Sequence, residues 1–202
     1  MKQDLKNRLI DTMFTSLYHE GYNASNLNDL LKRAGTSKGG LYHHFESKKD
    51  LALQTSRIVI GDFIHHYWEV GLNKDKNPIK ALEVLLNELP NTPILGETVF
   101  DFQYGCPLDK LIQEMSSIDD DFHILLNSLF SRWIEVVDTA FRRAEKNKII
   151  QKDIDTRMIS EFIVASIEGC LTMSKIRRCE SSYQHCVATL IRFLKTLQRR
   201  EV

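Results

Sequence analysis

Apolar residues recur at three- and four-residue spacings along most of the chain, and no stretch alternates apolar with polar in the two-residue rhythm of a half-buried strand. The pattern predicts an all-α protein of about nine helices. Ile10, Met13, Phe14 and Leu17 place one stripe on a helix from about Asp4 to Glu20, and Gly21 stands where that helix should stop. Ser25 or Asn26 can cap a short second helix carrying Leu27, Leu30, Leu31 and Ala34. Gly35 then makes a turn, and a third short helix carries Leu41 and Phe45. Ser47-Lys48-Lys49-Asp50 reads as a capping box that opens a long helix to about Glu69.

The second half is punctuated in the same way. Asn77-Pro78 pairs a helix cap with proline at the first helical position, and that helix ends by Pro90. Residues 91–105 hold Pro93, Gly96 and Gly105 without a period, so they are expected to be a long connection of undetermined conformation. Pro107 restarts a helix to about Met115. Asp119-Asp120-Asp121 complements the dipole at the start of the next one, Asp153-Ile154-Asp155 opens another to about Lys175, and Ser181-Ser182 opens the last.

Composition narrows the function classes. The 202 residues carry 27 Lys and Arg against 27 Asp and Glu, which excludes a grossly basic nucleic-acid coat. The balance is uneven, however: residues 1–55 hold eight Lys and Arg against six Asp and Glu, with His19, His43 and His44 in addition. No apolar run approaches the roughly 20 residues needed to span a bilayer, and the acid-bearing start MKQDLKNRLI lacks the apolar run of a signal peptide. The expectation is a soluble cytoplasmic protein without membrane contact. Cys106, Cys170, Cys179 and Cys186 show no metal-binding spacing and are expected to be reduced thiols. No Ser/His/Asp order, phosphate loop or paired-carboxylate setting appears. Catalytic residues, metal and cofactor are therefore all expected to be absent.

The chemistry concentrates in residues 25–50. Two short helices joined by a glycine turn and steadied by a preceding helix have the layout of a helix-turn-helix. On the third helix Thr36, Ser37, Lys38, Gly39, Gly40, Tyr42, His43 and His44 gather donors on the polar side, while Leu41 and Phe45, four apart, anchor the other. The run Ala34-Gly35-Thr36-Ser37-Lys38-Gly39-Gly40-Leu41-Tyr42-His43-His44-Phe45, followed by Ser47-Lys48-Lys49-Asp50-Leu51, resembles the signature of the TetR family of bacterial transcriptional regulators. The likeness extends over about residues 5–55. It departs at Gly40, where the family more often has Thr, Ser or Asn.

The resemblance implies a helix-turn-helix DNA-binding domain at 1–46 and a helical effector-binding and dimerisation domain at 47–202. It also implies that Ser25, Thr36, Ser37, Lys38, Gly39, Tyr42, His43 and Lys48 lie at the surface of double-stranded operator DNA. The expected function is a repressor that binds a pseudo-palindromic operator as a homodimer and is released by a small molecule or by thiol modification. The dimer is expected through the last two helices, at about 155–175 and 182–198. Their faces would be Ile159, Phe162, Ile163, Ser166, Gly169 and Met173, and Tyr183, Val187, Leu190, Leu194 and Leu197.

Two further groups are candidates in the second domain. Phe63, Trp68, Phe102, Phe130 and Trp133 could line an effector pocket or form ordinary core. Cys106, just before the helix-starting Pro107, resembles the Gly-Cys pair of a subgroup of the family, some of whose members respond to electrophiles or oxidants. Lys175 would lower its thiol pKa if it came close. The alternatives are a regulator whose chief role is cysteine-based sensing and a helical ligand carrier that binds no DNA.

Overall fold

Capping residues set the helix boundaries. Asn26 accepts from the amides of Asn28 and Asp29 at 2.8 and 3.3 Å, Asn77 from Ile79 at 3.0 Å, Asp119 from Asp121 and Phe122 at 3.1 and 3.2 Å, and Asp155 from Met158 at 3.0 Å. Each satisfies amides that a helix leaves without an internal partner. The computed structural model describes residues 4–90 and 92–199; Asn91, in the predicted connection, lies outside the described residues. Among the described residues are α1 (Leu5–His19), α2 (Leu27–Ala34), α3 (Lys38–Tyr42), α4 (Lys48–Phe63), α5 (Pro78–Glu88), α6 (Pro107–Met115), α7 (Asp120–Lys146), α8 (Thr156–Arg177) and α9 (Glu180–Lys195). The fold is all-α, as the pattern predicts.

Two local features were not legible from periodicity. α4 runs on beyond Phe63 through a π-helical stretch (Ile64–Glu69) into a last turn (Val70–Leu72), so Gly71 lies inside the helix. The connection 91–105 contains a small antiparallel hairpin of β1 (Pro93–Leu95) and β2 (Thr98–Val99), with Pro93 opposite Val99 and Leu95 opposite Thr98. Two and three residues are too few to show an alternating pattern. None of the described helices is long and apolar enough to cross a membrane.

Packing divides the chain into two units. The first takes in residues up to 61 with 93–99 and 107–129. Its core closes around α1, where the predicted Ile10, Met13, Phe14 and Leu17 are all buried with Leu30, Leu31, Leu41, Phe45 and Leu51. The second takes in 62–92, 100–106 and the chain from 130 onward, with α8, α9 and α5 packed together. Tyr183, Val187, Leu190 and Leu194 are buried here, so the stripe expected on α9 as a dimer face packs inside the protomer. Of the face expected on α8, Phe162 and Met173 are exposed and Ile163 is buried; Met158 and Ile176 on α8 and Phe193 on α9 are exposed as well.

The second unit also corrects the expectation of four reduced thiols. Cys170 on α8 and Cys186 on α9 form a disulfide across the helix pair, with Cα atoms 5.5 Å apart. Their separation of 16 residues fits no metal motif, but the tight turn at Arg178 folds the two helices back on each other and brings the pair together.

Candidate functional site

Helix α3 is short because its sequence holds it only at its ends. The Ser37 side chain caps it by accepting from Gly40 N at 3.5 Å, and Leu41 and Phe45 are buried beneath it. Their burial fixes which side faces outward. Ser37, Lys38, Gly39, Tyr42 and His43 are exposed, Tyr42 at 55%, and Thr36 is half-exposed. A Cβ at Gly40 would meet the Thr36 hydroxyl, so a larger residue there requires the Thr36 side chain to turn aside.

Two of the expected surface residues are engaged elsewhere. Ser25 is 3% exposed, and its hydroxyl donates to Gly21 O at 2.5 Å while accepting from the Ser16 hydroxyl at 2.9 Å. It secures the turn between α1 and α2 and does not reach the polar face. Lys48 is half-buried: Nζ donates to Tyr22 O at 2.7 Å and lies 4.3 Å from the centre of the Tyr22 ring. Burial pushes its ammonium pKa down, against the opposing pull of Glu114. The Ser47 capping expected from sequence is present, with Asp50 N donating to Ser47 Oγ at 3.0 Å.

The same unit holds a set of interactions that sequence reasoning missed. Glu114 on α6 accepts from Tyr22 N at 2.8 Å and Asn23 N at 2.7 Å, and Lys110, one turn earlier, donates to Tyr18 O at 3.0 Å and His19 O at 2.9 Å. A cation thus meets the carbonyl end of α1 and an anion meets the amides of the turn that follows, each matched to the local dipole. Lys49 Nζ lies 2.7 Å from carboxylate oxygens of both Asp119 and Asp121. Its bond to Asp119, then that to Asp121, holds the Lys49 pKa well above the ordinary value, and the reciprocal bond lowers that of Asp119. The only signal in the sequence was charge type, with no indication of partner.

In the second unit four of the five candidate pocket residues share one cluster. Phe63 stacks on Tyr67 at 5.0 Å, Tyr67 meets Trp68 at 5.2 Å, Trp68 meets Trp133 at 5.0 Å, and Phe130 meets Trp133 at 6.5 Å. The π-helical stretch carries Tyr67 and Trp68. Phe102 packs instead on Tyr183 at 4.6 Å. The Tyr67 and Tyr183 hydroxyls donate to the adjacent carbonyls of Leu85 and Leu86, and burial raises both phenol pKa values. Trp133 is 3% exposed, and its indole N–H finds no hydrogen-bond partner among the described residues. Buried donors are rarely left in that condition.

Of the two cysteines outside the disulfide, Cys106 is half-buried before α6. The Lys175 side chain passes beside the preceding residue: a Cβ at Gly105 would lie 3.4 Å from Lys175 Cδ. Cys179, which no motif in the sequence marks, is exposed at the N-cap of α9. A hydrogen bond from the Ser181 hydroxyl, then the amides of Ser182 and Ser181, lower its thiol pKa. The Ser181-Ser182 pair was the available signal.

Comparison with known proteins agrees with this arrangement. Residues 9–55 match the family described as bacterial regulatory proteins, tetR family, and residues 96–190 match the one described as tetracyclin repressor-like, C-terminal domain. An uncharacterized HTH-type transcriptional regulator in the lacX 3' region of Lactococcus lactis subsp. lactis is 25% identical over 174 residues, 86% of this chain and 85% of that protein. The HTH-type transcriptional repressor DhaR of Mycobacterium sp. (strain GP1) is 22% identical over 174 residues, 86% of this chain and 84% of its own. The solved structure of a TetR family transcriptional regulator from Cytophaga hutchinsonii has the same fold, with a TM-score of 0.84 at 16% identity over 97% of this chain and 96% of that one.

Proposed function

Because the chain belongs to the tetR family of bacterial regulatory proteins, DNA-binding transcription regulators that act on operators and generally as dimers, we propose that it is a repressor whose α3 reads a pseudo-palindromic operator. The observation that carries this reading is the division of α3 into a buried edge, Leu41 and Phe45, and an exposed polar edge from Ser37 to His43. Lys38 supplies charge to a phosphate, the bare backbone at Gly39 allows close approach to a strand, and Tyr42 and His43 meet base edges or phosphates. Two such helices in a two-fold dimer engage half-sites about one DNA turn, roughly 34 Å, apart. The outer residues Phe162 and Met173 on α8 and Phe193 on α9 supply the apolar surface between protomers. A repressor-named relative supports the sign of regulation.

Release follows from occupancy of the Trp68–Trp133 cluster by an aromatic or other apolar molecule carrying a hydrogen-bond acceptor. The unpartnered Trp133 indole supports that chemistry. Both tryptophans of the chain lie in this cluster, so intrinsic fluorescence reports directly on binding there. A footprint on the DNA adjoining the protein's own gene tests the reading. A protected, two-fold symmetric site that is lost on adding a ligand that quenches the tryptophans is expected; no protection at moderate salt, with the Cys170–Cys186 disulfide intact and Cys106 unmodified, overturns it.

One observation favours a second route to release. The nearness of the Lys175 stem to Gly105 supports a role for Cys106 as an electrophile-responsive thiol beside a lysine. Cys106→Ser should then abolish release by an electrophile such as N-ethylmaleimide while leaving footprint formation intact. Undiminished release by that reagent in the variant would remove Cys106 from the account.

A further inference from the structure

The Cys170–Cys186 disulfide lies on the face proposed above for self-association. It borders a groove of about 580 Å³ between α8 and α9, whose walls include the exposed Phe162, Met173 and Phe193. The two halves of the bond differ in access: Cys170 is fully buried, whereas Cys186 is half-exposed. Arg177 also lines the groove and places positive charge beside the bond that an attacking thiolate would approach. The covalent link joins the two helices midway along this face, between the Phe162–Phe193 ring pair at 5.4 Å and the turn at Arg178.

We propose that this disulfide is a reducible staple that pre-shapes the dimer face, so that reduction by a dithiol weakens self-association; the proposal rests on the α8–α9 dimer reading. In the first step a thiolate of the dithiol attacks Sγ of Cys186. The Cys170–Cys186 bond breaks, and Cys170 leaves as a thiolate that takes up a proton. The second thiol of the reductant then attacks its own sulfur in the mixed disulfide, which frees Cys186 and releases the reductant as a cyclic disulfide. Two electrons and two protons pass to the protein. With the staple gone, α8 and α9 must be ordered against each other at the moment of association, a cost the oxidised form has already met. A bound second copy covers the groove, so attack on Cys186 occurs in the free protomer. By linkage, dimerisation then protects the bond to the degree that the bond favours dimerisation.

Sedimentation of the full chain over a concentration series tests this, comparing air-oxidised protein, protein reduced with dithiothreitol, and the Cys170→Ser/Cys186→Ser variant. The reduced protein and the variant should dimerise about tenfold more weakly than the oxidised form. Alkylation with iodoacetamide in denaturant, after the reductant is removed, should count two free thiols in the oxidised form and four after reduction, with reduction slowing once protein concentration exceeds the dimer Kd. Should the serine variant fail to fold, the dithiothreitol comparison stands alone. A dimer with the same Kd in both redox states overturns the staple and leaves the dimer intact, as do four reactive thiols in air-oxidised protein. A monomer throughout the series overturns the dimer reading and the staple with it.

Discussion

The Glu114 carboxylate accepts the Tyr22 amide at 2.8 Å and, through its other oxygen, the Asn23 amide at 2.7 Å. These are the amides of the turn that leads from α1 to α2, and the acceptor is charged. Replacing it with Ala leaves two donors without their partner, at a cost of about 2 kcal/mol. Glu114→Ala should therefore lower the urea midpoint and weaken operator binding, although residue 114 is not on the polar face of α3. Gly21→Ala probes the same joint from the other side: φ is +94°, and a Cβ there would sit 2.6 Å from Glu114 Oε2. It should destabilise at least as much. Equal urea midpoints for wild type and both variants would show that this joint carries no stability.

Tyr183 replaces a hydrogen bond that the chain itself removes. The Leu86 carbonyl would accept from residue 90 in a continuing helix, but residue 90 is proline and has no N–H. The Tyr183 hydroxyl donates there at 2.8 Å from within the core. Tyr183→Phe keeps the ring and removes the donor, so a loss of about 1–2 kcal/mol in chemical denaturation is expected. An unchanged stability would mean that the Leu86 carbonyl is satisfied in another way.

Cys179 should be the first thiol to react. The hydrogen bond from Ser181 and the amides at the start of α9 stabilise its thiolate, so the pKa lies below the ordinary thiol value. Alkylation by iodoacetamide, followed residue by residue by mass spectrometry, should modify Cys179 before Cys106, with an inflection in rate below the usual thiol range. Ser181→Ala should move that inflection upward. An inflection indifferent to Ser181 would contradict the assignment.

The Lys49 bridge gives a pH dependence with a definite sign. Asp119 has a folded pKa below its ordinary 3.8, so its contribution is present above that value and is lost as pH falls through the lower folded value. Lys49 has a folded pKa above its ordinary 10.5, so its contribution is present below that value and is lost as pH rises through the higher folded one. The stability difference between wild type and Lys49→Ala should be flat between about pH 5 and 9 and close below pH 4. Thermal melts across that range check it; a difference that persists at pH 2 would assign the effect to packing of the Lys49 stem.

Elements with a strong local signal were legible in the sequence, and those set by partners distant in the chain were not. The α1 stripe, the caps at Asn77 and Asp155 and the buried pair Leu41 and Phe45 all act within one or two turns of their own helix. The Cys170–Cys186 bond, the Glu114 clamp and the inward turn of Lys48 join residues 16 to 92 positions apart, and no spacing rule marks them. Ser25 shows the same limit in one residue. A serine ahead of a helix reads as a cap or a surface donor, but the burial of α1 against that turn brings Ser16 Oγ within 2.9 Å and takes the hydroxyl inward. The α9 stripe was correctly seen as apolar, yet periodicity alone does not say whether α5 or a second protomer covers it.

The most direct test of the account is the salt dependence of operator binding by wild type and Lys38→Ala, measured by fluorescence anisotropy on the DNA footprinted beside the protein's own gene. The account predicts sequence-selective binding by the wild type. It further predicts weaker binding by the variant on every sequence, with the slope of log K against log salt reduced by about one for each phosphate that Lys38 neutralises. No selective binding by the wild type, or a slope and affinity identical in the variant, would contradict the claim that the outer face of α3 meets DNA.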